Sequence, residues 1–402
     1  MLVDKIISLA NFEQAYLEIV GSFISDHKNR RYHGLDGHFL CDHDLTSQQL
    51  LISCQKELLT GQPISPAISI KIPKRNKPDS YREVFVYNIR ERIKAQAIYR
   101  IILPTLDNYF SERLFSYRPG RPPYLAAKQF CHNYRRNFSS SQALVIDLKN
   151  YSEQINQDIL ISQLENFFND KSLLNLLKLF IGNSICRQGV IGQLDQGLVQ
   201  GVPLIALFAN LYLTEIDLKY KRLANFYVRV GDDIAFLDNN YQRLSSTKDQ
   251  LFTDLTALEL VFNKNKIYLG PAAGDFNFLG YKLANGKISL EPALVERILA
   301  NWRQILTRQH WSYGLKYKLL KKQMASLATN YNYQFGRLLA AKPQINDYQQ
   351  MRYLAEKFFI IMTKFLYRSY TPRQRRLAAE QLRQLGIESP YQIYWRFHHG
   401  KS

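Results

Sequence analysis

Apolar positions recur near a helical period through residues 1–29, at Ile6, Ile7, Ala10, Tyr16, Leu17, Val20, Phe23 and Ile24. A second helix is expected in TSQQLLISCQKELLTG (46–61), where Thr46 and Gln49 form a capping box and Gly61 supplies the stop. The period then changes. Ile68, Ile70 and Ile72 alternate with small or charged residues, and Val84 to Tyr87 makes a second run, which predicts a long hairpin. Its tip and flanks are basic, with Lys71, Lys74, Arg75, Lys77 and Arg82. A charge run of this kind is ordinarily a solvated face. Helix resumes over 90–103.

ALVIDL (143–148) reads as a buried strand. Helices are expected over about 154–169, 171–184 and 203–222. FYVRV and IAFLD are two strands joined at Gly231–Asp233, followed by a helix (245–260) and the strands IYLG and FNFLGYKL. Beyond Leu290 the chain reads as helical, basic and aromatic. The middle therefore runs β-αα-α-β-β-α-β, an elaborated split βαβ of ferredoxin-like type in an α+β protein. No internal repeat, low-complexity tract or Ser/Gly linker interrupts it, so closely packed subdomains are expected.

With 402 residues, 46% of them hydrophobic, the chain can build a sizeable core over two or three subdomains. The 53 Lys+Arg against 34 Asp+Glu leave a charge of +19, which attracts polyanions, nucleic acid first. A membrane surface is the weaker alternative, because no stretch approaches the roughly 18 apolar residues of a spanning helix. Acids within the apolar N-terminus argue against a signal peptide. Cys41, Cys54, Cys131 and Cys186 are scattered, which suits a reducing cytoplasm and no disulfide framework. His33, His38, Cys41 and His43 cluster in HGLDGHFLCDH, but without paired-ligand spacing a polar loop is the better reading than zinc. Of the 26 Tyr and 23 Phe, most are packing residues and some are available to stack on bases.

The adjacent acids Asp232 and Asp233 would be ordinary turn residues on their own. A third acid, Asp147, ends the strand ALVI. If that strand lies beside the 226–238 hairpin, three carboxylates converge, and repulsion would force one to hold its proton. A divalent cation removes the conflict. Mg²⁺ prefers hard oxygen ligands, and two such ions stabilise the attacking and leaving oxygens of a phosphoryl displacement. Lys74 and Arg82 could then hold a triphosphate.

These residues carry a likeness. IPKRNKPDSYREVFVYNIRERIKAQAI and LFSYRPGR (114–121), ALVIDLKNYSEQI, GLVQGVPLIALFANLYL (197–213), FYVRVGDD, LVFNKNK (260–266) and FLGY (278–281) occur in the order seen in reverse transcriptases, the right-hand polymerases with fingers, palm and thumb. The chain resembles that family over roughly residues 45–300. The resemblance implies a right-hand polymerase fold: N-terminal helices and fingers in 1–140, palm in 141–285 and a helical basic thumb in 286–402. It implies two Mg²⁺ ions, or Mn²⁺ in their place, on Asp147, Asp232 and Asp233 with the Leu148 carbonyl. It places Lys74, Arg82, Tyr151, Ser152, Gln200, Gly201 and Lys266 at the nucleotide. Lys266 would protonate or position the leaving pyrophosphate. Arg118, Arg121, Phe278, Leu279, Gly280, Tyr281, Lys316 and Lys321 would meet nucleic acid. Arg82 has the alternative of a salt bridge to Glu83 or Glu91, and a similar alternative stands for Lys266.

Three departures from the family pattern stand out. Ile205-Ala206 replaces the usual Ser-Pro pair, so the loop before the helix loses a proline and a cap. Gly231 stands where the family more often has Ala, Val or Met, and glycine allows close approach. Ser152 stands where an aromatic ring usually lies under the sugar, which implies weaker exclusion of ribonucleotides unless a one-residue shift puts Tyr151 there.

The implied partners are an RNA template or structured non-coding RNA, deoxynucleoside triphosphates and a DNA product, with a homo-oligomer or companion defence protein and no membrane. The SYRPGR and DLKNYS forms look most like stand-alone bacterial reverse transcriptases of anti-phage, abortive-infection type. Two alternatives remain: an untemplated or self-primed polymerase, and a maturase-like RNA-binding protein, whose signature would be a broken carboxylate set.

Overall fold

The computed structural model describes residues 2–25, 33–38, 48–73, 81–263, 266–308, 331–367 and 369–399. The chain forms two compact units, Met1–Ala126 with Ala143–Leu269, and Ala127–Gln142 with Gly270–Ser402.

In the first unit the expected N-terminal helix is two helices, α1 (Leu2–Ile7) and α2 (Leu9–Ser25). Ser8 divides them: its hydroxyl donates to the Lys5 carbonyl and accepts from the Asn11 amide, as a capping residue does. Helix α3 (Gln48–Leu59) follows, and then α4 (Ile89–Tyr109), which runs past Leu103 and through Pro104. Burial of Ile93, Ile98, Ile102 and Leu106 holds α4 against the bond that proline removes. Lys94 is buried on α4 and pairs with Glu91 (2.6 Å) and with Glu57 of α3 (3.1 Å).

The long hairpin is β1 (Ala67–Pro73) and β2 (Tyr81–Val86), in antiparallel register from Ile68 opposite Val86 to Pro73 opposite Tyr81. The chain adds a second hairpin that the apolar pattern did not reveal. The expected helix over 171–184 stops at Lys178, and β4 (Ser184–Arg187) and β5 (Val190–Gln193) follow. The turn Gln188-Gly189 has φ 51° and 84°, the conformation of a two-residue hairpin. Strand β4 runs parallel to β1, giving the order β2-β1-β4-β5.

The second sheet has the order β6-β7-β3-β8, from β3 (Gln142–Asp147), β6 (Phe226–Val230), β7 (Asp233–Asp238) and β8 (Tyr268–Pro271). Strand β3, first in sequence, is inserted between the later β7 and β8. With α7 (Gln157–Phe167) and α11 (Tyr241–Ala257) as crossover helices, this is the expected split βαβ of ferredoxin-like type in an α+β protein. Leu144, Ile146, Phe208, Ile234, Phe236, Leu251 and Leu255 are buried in one core that joins sheet and helices. The expected 203–222 helix breaks at Leu213 into α9 (Pro203–Tyr212) and α10 (Thr214–Tyr220).

The second unit contains a three-stranded sheet, β11-β10-β9, made of β9 (Phe276–Phe278), β10 (Tyr281–Ala284) and β11 (Lys287–Leu290). Its described helices beyond that sheet are α12 (Pro292–Arg308), α13 (331–341), α14 (Tyr348–Tyr367), α15 (Pro372–Gln384) and α16 (Pro390–His399). Its core is aromatic. Tyr331 lies 4.4 Å from Phe358 and 5.4 Å from Trp302, centroid to centroid. Among the described residues no helix is long and apolar enough to cross a membrane.

Candidate active site

Asp147 ends β3 because the apolar run stops there and the chain is taken over by a different neighbour. The Asp147 carbonyl accepts from the Asn263 amide (2.9 Å), and the Lys149 amide donates to Val261 (3.0 Å), bracketing the bridge between Leu148 and Phe262. In that register the amide and carbonyl of Leu148 point away from Phe262. The Leu148 amide donates to the carbonyl of Asp232 at 3.1 Å. The early strand and the Asp-Asp turn therefore meet, as the sequence required.

Gly231 and Asp232 form a two-residue turn between β6 and β7, with Val230 opposite Asp233. Gly231 has φ +61° while Asp232 stays at negative φ, which is the type II′ hairpin turn. A Cβ at 231 would meet nothing within 4 Å. Glycine is needed here for its backbone angle and not for a close approach.

Lys266 reports where the three carboxylates lie. Its Nζ donates to Asp147 Oδ2 at 2.7 Å. Its pKa is raised first by that hydrogen bond, which outweighs partial desolvation, and then by the charges of Asp147, Asp233 and Asp232. Asp232 is exposed, and Asp147 and Asp233 are half-buried. Among the described residues no three His, Cys, Asp or Glu side chains already form a metal-holding array. The donor chemistry nevertheless fits Mg²⁺: three carboxylates and the Leu148 carbonyl are hard oxygens gathered on one turn and one strand end.

The nucleotide-side residues sort differently from expectation. Tyr151 is buried at 8% exposure, and its hydroxyl donates to the Ala209 carbonyl. Burial pushes its phenol well above the ordinary range. The ring is thus turned inward and tethered to α9. Ser152 lies on the short helix α6 (Tyr151–Gln154), half-buried, and its Oγ accepts from Gln200 Nε2. Gly201 has φ +148°, and a Cβ there would sit 2.7 Å from the Phe85 carbonyl and 3.1 Å from the Tyr87 ring. Only glycine lets this segment pass so near the end of β2. The loop expected to lose a proline and a cap at Ile205-Ala206 is not where that pair lies: both residues are inside α9, which begins at Pro203 after Val202, and the helix start keeps a proline at its first position without a side-chain cap.

Lys74, Lys316 and Lys321 lie outside the described residues, as do the Arg82 side chain and the Cys41 and His43 of the HGLDGHFLCDH segment. The acids named as alternatives for Arg82 are engaged elsewhere, Glu83 with Arg187 (2.7 Å) and Glu91 with Lys94. Arg118 does not present itself to nucleic acid. It is 9% exposed, and its guanidinium is consumed by Asp107 and by the carbonyls of Asp107, Ser111 and Leu114. Arg121 is half-buried and donates to the Glu112 carbonyl (2.6 Å).

In the second unit, Phe278 and Tyr281 are core residues, 3% and 1% exposed, with Phe278 packed on Phe130 at 4.6 Å. They are drawn inward by that packing and are not a nucleic-acid surface. Leu279 and Gly280 form the tip between them. Leu279 holds φ +49°, an uncommon angle for a branched side chain, and its carbonyl accepts from Lys342.

Sequence reasoning passed over a buried polar cluster behind the Gly231–Asp232 turn: Ser116, Asn210, Asp217 and Arg229, at 3%, 1%, 0% and 0% exposure. The available signal was Arg229 itself, a charge set between Val228 and Val230 in an otherwise apolar strand.

The family model described as reverse transcriptase (RNA-dependent DNA polymerase) matches residues 72–283. Among curated proteins, the chain is 26% identical over 187 residues to the putative COX1/OXI3 intron 1 protein of Saccharomyces cerevisiae, covering 46% of this chain and 22% of that protein. The chain thus matches less than a quarter of that relative's length. Similar solved structures include telomerase from Candida albicans with a fragment of telomeric RNA (TM-score 0.46, 12% identity, 85% of this chain and 67% of that one). Apo telomerase from Candida tropicalis is similar at TM-score 0.45 and 12% identity, over 79% of this chain and 69% of that one. The family match spans more than half of the sequence and includes all three carboxylates, and the chain belongs to the reverse transcriptase (RNA-dependent DNA polymerase) family.

Proposed function

We propose that the chain extends a primer with deoxynucleotides on an RNA template. The observation that carries this reading is the contact of Leu148 with Asp232, which brings Asp147 to the Asp232–Asp233 turn. Asp147, Asp232 and the Leu148 carbonyl would hold two Mg²⁺ ions, with Asp233 assisting. Bound there, the ions supply charge neutralisation at the attacking and leaving oxygens. Lys266 is already within reach of the same oxygens and would pass to the leaving pyrophosphate. Lys74 and Arg82 would bind the triphosphate, and Gln200 and Gly201 would border the new base pair. The net charge of +19 suits an RNA template or a structured RNA.

The carboxylate set is intact, which favours catalysis over RNA binding alone. The reading as an anti-phage defence enzyme rests on the forms SYRPGR and DLKNYS. Primer extension on a defined RNA template, with the product sequenced, tests the polymerase reading. A product complementary to the RNA supports it, and a product made equally well without RNA favours the untemplated alternative.

A second reading, relaxed sugar selection, is favoured by the Ser152–Gln200 contact. A small hydroxyl tethered by Gln200 occupies the position where a ring would exclude the 2′-hydroxyl, and serine can itself bond to that group. Incorporation of matched NTP against dNTP measures it.

A further inference from the structure

The turn that carries Asp232 and Asp233 is held from outside at each of its peptide planes. The Gly231 amide donates to Ser116 Oγ at 3.0 Å. The Gly231 carbonyl accepts from Arg229 at 3.0 Å. The Asp232 carbonyl accepts from the Leu148 amide at 3.1 Å. A peptide unit is planar, so fixing one polar group fixes the plane. The planes before Gly231, between Gly231 and Asp232, and after Asp232 are thereby all set. Both planes that flank the Asp232 Cα, and so the direction of its Cα–Cβ bond from which the carboxylate projects, are determined.

The holders are themselves held. Arg229 makes a two-pronged pair with Asp217, Nε to Oδ1 at 2.7 Å and a terminal nitrogen to Oδ2 at 2.6 Å, both residues at 0% exposure. The Tyr227 hydroxyl donates to the same Asp217 Oδ1 at 2.5 Å. Ser116 Oγ donates to Asn210 Oδ1 at 3.1 Å, and Asn210 Nδ2 returns to the Ser116 carbonyl at 2.7 Å. Burying an ion pair is a poor way to gain stability, since apolar residues of equal volume commonly do as well or better. What apolar residues cannot supply is a donor aimed at the Gly231 carbonyl. Glycine, the residue with the widest backbone freedom, sits at the one position where these donors and acceptors converge.

We infer that Ser116 and Arg229, backed by Asn210 and Asp217, are positioning residues that fix the aim of Asp232 for catalysis. The inference rests on the polymerase reading for its consequence but not for its geometry. Ser116→Ala removes the acceptor of the Gly231 amide. Arg229→Lys keeps the charge beside Asp217 and loses the fork. Hydrogen exchange and single-nucleotide addition are measured on both variants and the parent, after thermal denaturation has established that each folds.

Exchange at 231–233 should quicken roughly fivefold, the loss of about one hydrogen bond, while the strands at Tyr227–Val228 and Ala235–Phe236 keep the parent rate. The kcat for addition should fall about 10- to 100-fold, with KM for the nucleotide changed less than about threefold. Unchanged exchange at the turn in the folded variants would overturn the inference, and so would quickened exchange with parental kcat. A parent that extends no primer overturns the polymerase reading instead, and exchange at the turn then decides the clamp by itself.

Discussion

Lys266 and Asp147 are bound to each other, Nζ to Oδ2 at 2.7 Å, at the point where Asp232 and Asp233 add two more negative charges. The ammonium is a cation that offsets carboxylate repulsion at this point of the protein. Lys266→Ala should therefore lower the melting temperature in a chelator and show a larger rise than the parent when Mg²⁺ is added. Its nucleotide-addition rate should fall about 10- to 100-fold with RNA binding retained. An identical Mg²⁺-dependent shift in parent and variant would show that Lys266 does not balance these acids. Thermal melts with and without Mg²⁺ give the answer.

Ser152 and Gln200 should act together on the sugar. Ser152→Phe is expected to raise the preference for dNTP over NTP by roughly tenfold or more, because a ring fills the space of a 2′-hydroxyl. Gln200→Ala, which frees the serine hydroxyl, should move the ratio by a smaller factor. Competition between matched dNTP and NTP in single-turnover addition measures both. Unaltered ratios in both variants would place sugar selection elsewhere.

Tyr151→Phe should cost about 1 kcal/mol of stability, the loss of one buried hydrogen bond to Ala209, and leave sugar selection as it is. Chemical denaturation and the same competition assay check the two halves. A changed dNTP preference with unchanged stability would return Tyr151 to the nucleotide.

Burial pushes the thiols of Cys54 and Cys131 from 9.0 up to about 12. The folded state then holds these protons more tightly than the unfolded state does. Their contribution to stability is present below pH 9.0 and is lost as pH rises toward about 12. The slope of stability against pH above 9 should flatten in Cys54→Ala/Cys131→Ala. At pH 8 both thiols should resist alkylation in the native protein and react in denaturant, as peptide mapping would reveal. Rapid native alkylation at either would contradict the packing of α3 on α4 or of α5 (Pro123–Asn137) in its unit.

Much of the first unit was legible because its elements have a clear period. ALVID and the pair FYVRV and IAFLD alternate or run apolar between turn residues, and they are β3, β6 and β7. The proposed catalytic acids stood out for a different reason, since a shared cation would resolve the repulsion of three converging carboxylates. What escaped was set by single residues and not by period. Ser8 breaks a helix that the apolar stripe carries straight through. Gln188-Gly189 and Asn285-Gly286 turn hairpins too short for an alternating pattern to stand out, although an Asn-Gly pair is itself a strong turn signal. Helix α5 is the exception: its buried Ala126, Ala127, Phe130, Cys131 and Tyr134 recur at helical spacing, a stripe that sequence reasoning passed over. Arg118, Phe278 and Tyr281 looked like surface ligands because a motif does not say which way a side chain faces. Arg118 found an internal partner in Asp107, and the two rings found Phe130 and the interior of their sheet.

The central claim is that Asp147 and Asp232 share one catalytic site, and the rate of single-nucleotide addition in Asp147→Asn and Asp232→Asn tests it most directly. Each substitution keeps the shape and removes the charge. The account predicts that the parent adds the templated dNTP in Mg²⁺ and that each variant, folded and still bound to RNA, is slower by at least roughly a thousandfold. Addition at the parental rate by either folded variant would contradict it.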